Sequence, residues 1–346
     1  MDTALLGKLI RGENLSFAEM QSAMEGIVEG RWTPAQIAGF LIALRIKGET
    51  PEEIAAAAQA LRSNAIKVPV TRSNVIDTCG TGGDHSGTFN ISTAAAIVAA
   101  SSGAAVAKHG NRAISSRCGS ANVLQELGIN IELTPEQVGA CIDKVGIGFL
   151  FAPKLNPGMK HVAGPRQELG QRTMFNLMGP LLNPAQAKRQ VIGVFGSSAL
   201  SAQGDKLTRV IADVLQRLGS EHVMVVSGTD GIDEISLCAP TLVAELKDGA
   251  IKEYILNPQD LGFSLATKED LLGGDAPQNA AILRDVFSGA KGPKRDVVSL
   301  NAAAALYVSG MATNLKDGVA KVKAALDAGA AKTTLEKWAA FSQNPA

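Results

Sequence analysis

Hydrophobic and polar positions along this chain follow one rhythm up to about residue 70 and a different one after it. In the first stretch Ile37, Phe40, Leu41 and Leu44 fall at i, i+3, i+4 and i+7, which places them on one stripe of a helix. Thr33-Pro34-Ala35-Gln36 and Thr50-Pro51-Glu52-Glu53 each read as a helix start. Thr can cap, Pro suits the first helical position, and the Gln or Glu side chain can reach back to the capping residue. No strand-like alternation occurs here, so residues 1–70 predict a small helical domain. From about Val75, short apolar runs at 75–76, 104–107, 129–133, 147–151, 191–195 and 223–226 alternate with helical patterns. One of those helices opens on a third capping box, Thr134-Pro135-Glu136-Gln137. Strands alternating with helices imply βαβ units and a mostly parallel sheet flanked by helices, an α/β domain over 71–346. Two runs between Leu242 and Ile255 flank Lys247-Asp248-Gly249, a hairpin signal that adds an antiparallel edge. The final third returns to helices, including the alanine-rich stretch at 300–307. A helical segment at about 163–185, broken by Gly-Pro and Asn-Pro, is expected to join the helical domain in space.

With 346 residues, 46% hydrophobic and 19% charged, the chain is globular rather than disordered. Lys plus Arg and Asp plus Glu are equal at 33 each, so the basic excess of a nucleic-acid binder is missing. The opening residues lack a signal-peptide core, and the longest soft apolar run, 93–107, is too short to cross a bilayer. Cys79, Cys118, Cys141 and Cys238 form no CxxC pair or zinc spacing. A reduced cytoplasmic protein without a membrane or nucleic-acid partner is the expectation.

Three segments carry candidate chemistry. Residues 77–93, DTCGTGGDHSGTFNIST, join a strand to a helix through four glycines. Glycines let backbone amides converge on an anion, and the helix N-terminus adds its own free N–H groups. The spacing of Gly80, Gly82, Gly83 and Gly87 fits neither GxGxxG nor a Walker loop, and glycine pairs alone also occur in ordinary turns. Residues 108–121, KHGNRAISSRCGSA, repeat the strand–loop–helix layout with the cations Lys108, Arg112 and Arg117. Two such cradles side by side suit a ligand with several phosphates, whereas one basic loop alone could be a solvated surface. Asp233-Glu234 follow the strand-like run at 223–226 and fit Mg²⁺, which prefers oxygen ligands; a lone Asp-Glu is more often a surface turn. His109, His161 and Cys118 form no legible nucleophile–base arrangement.

These three segments, together with RQELGQRTMFNLMGPLLNP at 166–184 and LNAAAALY at 300–307, resemble the anthranilate phosphoribosyltransferases along nearly the whole chain. The resemblance implies a homodimer with a fold similar to type II nucleoside phosphorylases. It implies phosphoribosyl pyrophosphate and anthranilate as substrates, in tryptophan biosynthesis. Gly80, Gly83, Asp84, Thr88, Asn90, Ile91, Ser92, Thr93, Lys108 and Ser120 would hold phosphoribosyl pyrophosphate. Ser92, Asp233 and Glu234 would hold Mg²⁺. Gly80, Asn111 and Arg166 would contact anthranilate, with Lys108 and Arg166 as the catalytic pair and Arg166 facing the carboxylate. The chain departs from the family at Asn122, where Asp is usual, and at Cys118, where a small hydroxyl is common. Pyrimidine nucleoside phosphorylases share the fold but are longer. A nucleic-acid-binding paralogue is opposed by the balanced charge.

Overall fold

The computed structural model describes residues 3–113, 117–195 and 207–345. Four helices come first: α1 (Thr3–Ile10), α2 (Phe17–Val28), α3 (Pro34–Lys47) and α4 (Pro51–Asn64). The capping boxes read from the sequence at Thr33/Gln36 and Thr50/Glu53 both form, each with Pro in the first turn. The α3 stripe, Ile37, Phe40, Leu41 and Leu44, is at most 1% exposed; burying four such side chains contributes about 1.5–3 kcal/mol each.

The α/β part runs β1 (Ile76–Gly80), α5 (Ile91–Ser101), β2 (Val106–Gly110), α6 (Ser120–Glu126), α7 (Pro135–Val145) and β3 (Ile147–Phe151). It continues with α8 (Ala152–Leu155), α9 (Lys160–Leu169), α10 (Phe175–Leu181), β4 (Arg189–Gly193), α11 (Leu207–Arg217) and β5 (His222–Gly228). The hairpin β6 (Thr241–Lys247) and β7 (Ala250–Leu256) is followed by α12 (Ala276–Phe287), α13 (Pro293–Ser309), α14 (Leu315–Asp327) and α15 (Ala330–Gln343). The sheet order is β3-β2-β1-β4-β5-β6-β7, parallel through β5 and antiparallel from β5 to β7. One expected strand does not exist: 129–133 is an irregular segment. Its alternating Ile129, Ile131 and Leu133 are buried, but against neighbouring elements without a strand to pair with, so the period was right and the partner absent.

The pleat sends successive side chains of one strand to opposite faces. Met224 and Val226 of β5 enter a core with α5, α13 and α15, whereas Val223 and Val225 enter one with α11 and the N-terminal helices. The second core also takes Val162, Met174, Phe175 and Met178 from the 160–181 region. The N-terminal helices therefore close their apolar faces on α9, α10 and the sheet.

In the first turn of α4, Glu53 is fully buried yet satisfied: it accepts from Lys47 Nζ, Leu15 N and Thr50 N at 2.8–2.9 Å. Glu49 is 6% exposed and neither carboxylate oxygen has a hydrogen-bond partner among the described residues. Burial pushes its pKa above the ordinary carboxylate value. A folded pKa raised above the unfolded one destabilises the fold as pH climbs past the ordinary carboxylate range. Glu49→Gln is accordingly expected to raise the thermal midpoint at pH 8 and leave it unchanged at pH 4. A lower midpoint at pH 8 would show that the carboxylate is wanted.

Candidate active site

Four of the five parallel strands end in glycine: Gly80, Gly110, Gly193 and Gly228. Chain direction across the sheet reverses beside β1, since β2 and β3 lie on one side and β4 and β5 on the other. Strand C-termini at such a switch point form the crevice where open α/β sheets bind ligands. Here the crevice is a cleft of about 1050 Å³, walled on its far side by α9 and α10. A smaller recess of about 560 Å³ lies beside the first residues of β4 and β5. Beside it His222 pairs with Glu245 and Lys247 with Tyr307, and the glycine loop of residues 80–87 does not reach it.

The glycine loop leaves β1 at Gly80, which lies on the strand with Asp77, Thr78 and Cys79 rather than in the loop. Gly82, Gly83 and Gly87 take φ of 68°, 76° and 71°, a region that glycine enters without steric cost. Thr81 N donates to Gly193 O at 2.9 Å and Gly82 N to Asp233 Oδ2 at 2.7 Å. The amides of Gly83, Asp84 and His85 have no partner among the described residues and belong to the cleft wall. Thr88 bridges Leu272, and Gly273 N donates to Gly87 O at 2.9 Å, so segment 271–274 pins the loop from outside.

At the start of α5, Asn90 works as a strut: Nδ2 donates to Cys118 O at 3.1 Å and Oδ1 accepts from Asn279 Nδ2 at 2.9 Å. Ile91 and Thr93 are buried and anchor the helix, while Ser92 is half-buried at the cleft. Ser92 N donates to Glu234 Oε1 at 3.0 Å.

Lys108 lies on β2, which extends to Gly110, three residues beyond where the apolar run ends. It is 2% exposed, and its Nζ donates to Thr78 O at 2.6 Å. Burial lowers its pKa while Asp77 and Glu234 oppose the shift. Asn111 and Arg112 reach the cleft from the next loop and Ser120 from the first position of α6; residues 114–116 of that loop lie outside the described residues. Ser120 Oγ and Ala121 N both donate to Asn111 O. The departure at Asn122 keeps a useful acceptor, since its Oδ1 takes N–H bonds from Ala113 and Gly119 at 3.1 Å each.

Asp233 and Glu234 follow β5 and stand half-buried in the cleft. Burial raises the pKa of both, with Asp84 adding repulsion at Asp233 and Asp233 adding it at Glu234. Three carboxylates thus converge on one wall. They are hard oxygen donors whose mutual repulsion a divalent cation would offset. No group of three or more His, Cys, Asp or Glu among the described residues encloses a metal. Mg²⁺ is commonly bound through one or two carboxylates, with water and phosphate oxygens completing its shell.

Arg166, on α9, faces the same cleft, with its guanidinium 5.8 Å from the Phe175 ring centroid. Burial lowers its pKa, and no carboxylate pairs with it among the described residues. A half-buried guanidinium without an anion is a place for one.

Sequence reasoning missed several residues here. Arg172 donates to Gly83 O, and Asn279 braces Asn90. Buried Asp77 accepts from His109 N at 3.1 Å and Asn183 Nδ2 at 2.8 Å, tying the 183 region to β1 and β2. His109 has both ring nitrogens engaged, with Gly179 O at 2.9 Å and Asn156 Nδ2 at 3.2 Å, and burial lowers its pKa. It is a neutral bracket rather than a base.

Comparison with known proteins agrees with this geometry. Residues 3–65 match the family described as "Glycosyl transferase family, helical bundle domain", and residues 72–332 match "Glycosyl transferase family, a/b domain". An anthranilate phosphoribosyltransferase from Alkaliphilus metalliredigens is 50% identical over 338 residues, covering 98% of this chain and 97% of that one. One from Methylobacillus flagellatus is 52% identical over 339 residues, with 98% and 97% covered. The Thermus thermophilus enzyme superposes with a TM-score of 0.91 at 44% identity, covering 99% of this chain and 100% of that one. The Saccharomyces cerevisiae enzyme in complex with PRPP and Mg superposes with a TM-score of 0.87 at 28% identity, covering 99% of each chain. With the helical bundle, the seven-stranded sheet and both loop cradles matched from end to end, this chain belongs to the anthranilate phosphoribosyltransferase family.

Proposed function

We propose that the cleft transfers the phosphoribosyl group of phosphoribosyl pyrophosphate to the amine of anthranilate, yielding N-(5-phosphoribosyl)anthranilate and pyrophosphate. The observation that carries this reading is the meeting of a glycine loop with free amides, a carboxylate wall and an unpaired guanidinium in one cleft. Gly80, Gly83, Asp84, Thr88, Asn90, Ile91, Ser92, Thr93, Lys108 and Ser120 form or brace the phosphoribosyl pyrophosphate subsite. Ser92, Asp233 and Glu234 would hold Mg²⁺, which would supply neutralisation of charge on the pyrophosphate leaving group.

Anthranilate enters from the α9 side, with its carboxylate on Arg166 and its ring near Asn111 and Gly80. Its amine nitrogen forms the new bond to the anomeric carbon, the bond to pyrophosphate breaks with its electron pair leaving on pyrophosphate, and the amine's proton passes to water. His109 is committed at both nitrogens, so the cleft works by alignment and charge placement rather than by a strong base. Lys108 lies at the floor of the cleft, where burial lowers its pKa and the charges of Asp77 and Glu234 oppose that shift.

Arg166→Ala is expected to raise KM for anthranilate about ten- to hundred-fold, the value of a charged hydrogen bond, with little change for phosphoribosyl pyrophosphate. Steady-state kinetics with each substrate varied in turn tests this; equal losses for both would remove Arg166 from the anthranilate subsite.

The helical domain is taken as 1–70 joined by about 163–185, because Val162, Met174 and Phe175 share a core with α2 and α3. A homodimer is favoured by Ile10 and Ile46, which stand 73% and 80% exposed on α1 and α3. A cytoplasmic setting is favoured by four free cysteines and by the lack of any helix, among the described residues, long and apolar enough to cross a membrane.

A further inference from the structure

The turn between α9 and α10 carries Arg172 to the glycine loop, 89 residues away in sequence. Its Nη2 donates to the Gly83 carbonyl and stands 3.5 Å from His85 Nε2. The guanidinium carbon lies over the Phe195 ring, 3.7 Å from the centroid, a cation–π contact that holds the side chain in place. Arg172, Gly83, His85 and Phe195 all line the cleft.

A backbone loop that binds phosphate must turn its amides towards the ligand and its carbonyls away, because a carbonyl oxygen aimed at a polyanion repels it. Gly83 has φ of 76°, so neither its own backbone preference nor a side chain fixes which way its peptide faces. Arg172 holds the Gly83 carbonyl, with a longer contact to His85 Nε2, while the neighbouring amides of Gly83 and Asp84 have no partner among the described residues. We propose that Arg172 is a positioning residue for phosphoribosyl pyrophosphate: clamped on Phe195, it fixes the Gly83 peptide so that the loop amides face the phosphates. The same side chain joins the loop to the turn after α9 without touching Arg166. The inference rests on reading the glycine loop as the phosphate subsite.

The test is steady-state kinetics on Arg172→Gln, Arg172→Lys and Gly82→Ala, with thermal midpoints measured alongside. Arg172→Gln is expected to raise KM for phosphoribosyl pyrophosphate about ten- to hundred-fold, with KM for anthranilate within about two-fold of wild type. Arg172→Lys can still donate to the carbonyl but cannot stack as a plane, so it should fall between wild type and Gln. Gly82→Ala places a Cβ at φ of 68° with open space around it, and should raise the same KM without Arg172 being touched. If Gly82→Ala raises it and Arg172→Gln does not, the positioning role is wrong and the phosphate subsite stands. If Gly82→Ala leaves it unchanged, the subsite reading itself fails. Equal losses for both substrates with a lowered midpoint, and no recovery in Arg172→Lys, would reduce Arg172 to a structural brace and overturn the proposal.

Discussion

Replacing Asp233 and Glu234 together by alanine is expected to lower Mg²⁺-dependent turnover at least about 100-fold, since a metal on a transferring group is worth several kcal/mol. Each carboxylate is already aimed. Asp233 Oδ2 accepts from Gly82 N at 2.7 Å and Glu234 Oε1 from Ser92 N at 3.0 Å, so neither has to be reorganised to meet a cation. Burial and mutual repulsion raise both pKa values, so keeping both groups ionised costs the metal-free fold stability. For acids whose folded pKa exceeds the unfolded value, stability falls as pH rises from the ordinary carboxylate range through the raised values. The metal-free wild type should therefore lose thermal stability across that window, and the double variant should lose less. Activity and stability are thus predicted to move in opposite directions. Titrating Mg²⁺ against turnover and recording the metal-free melt at two pH values reads both. A variant with an unchanged metal titration would refute the assignment.

Gly193→Ala should be nearly as damaging, for a steric reason. A Cβ at Gly193 would lie 1.5 Å from the carbonyl oxygen of Asp233 and 2.4 Å from its carbon. Those are backbone atoms, so no side chain can rotate aside. The 229–235 loop would have to move, and with it both carboxylates and the Thr81 N–H bond to Gly193 O. Overpacking of this kind costs about 1–3 kcal/mol in stability, and displacing the carboxylates should cost most of the activity besides. Gly39, inside α3, is the matched control because its Cβ meets nothing within 4 Å. Gly39→Ala should be neutral or stabilising by up to about 1 kcal/mol. Melting curves and kcat/KM for the two variants decide it; a Gly193→Ala enzyme with wild-type values would mean the strand ends are not packed as described.

The sequence made legible whatever is encoded by neighbours in the chain. Capping boxes at Thr33, Thr50 and Thr134 are local and formed as read. The glycine loop showed itself because tight turns with positive φ need glycine, and Asp233-Glu234 because two adjacent carboxylates are conspicuous. What joins distant segments was not legible. Arg172 and Asn279 meet their partners across 89 and 189 residues, and nothing local distinguishes either from a surface residue. Gly193 did leave a signal, a glycine inside the apolar run at 191–195, which marks close approach of another backbone. Lys108 and Asp77 were placed in loops because polar residues interrupt an apolar run, yet both lie on strands, where hydrogen bonds to Thr78 O and His109 N satisfy them. The run at 129–133 failed for the opposite cause: its apolar period came from packing alone.

The central claim is tested most directly by following anthranilate fluorescence with the purified chain, phosphoribosyl pyrophosphate and Mg²⁺, each omitted in turn and EDTA added as a control. Anthranilate is expected to be lost only when all three are present, and the loss to be abolished by EDTA. Unchanged fluorescence from a folded protein that still binds phosphoribosyl pyrophosphate would contradict it, and would mean that the amine placed beside Arg166 is not anthranilate.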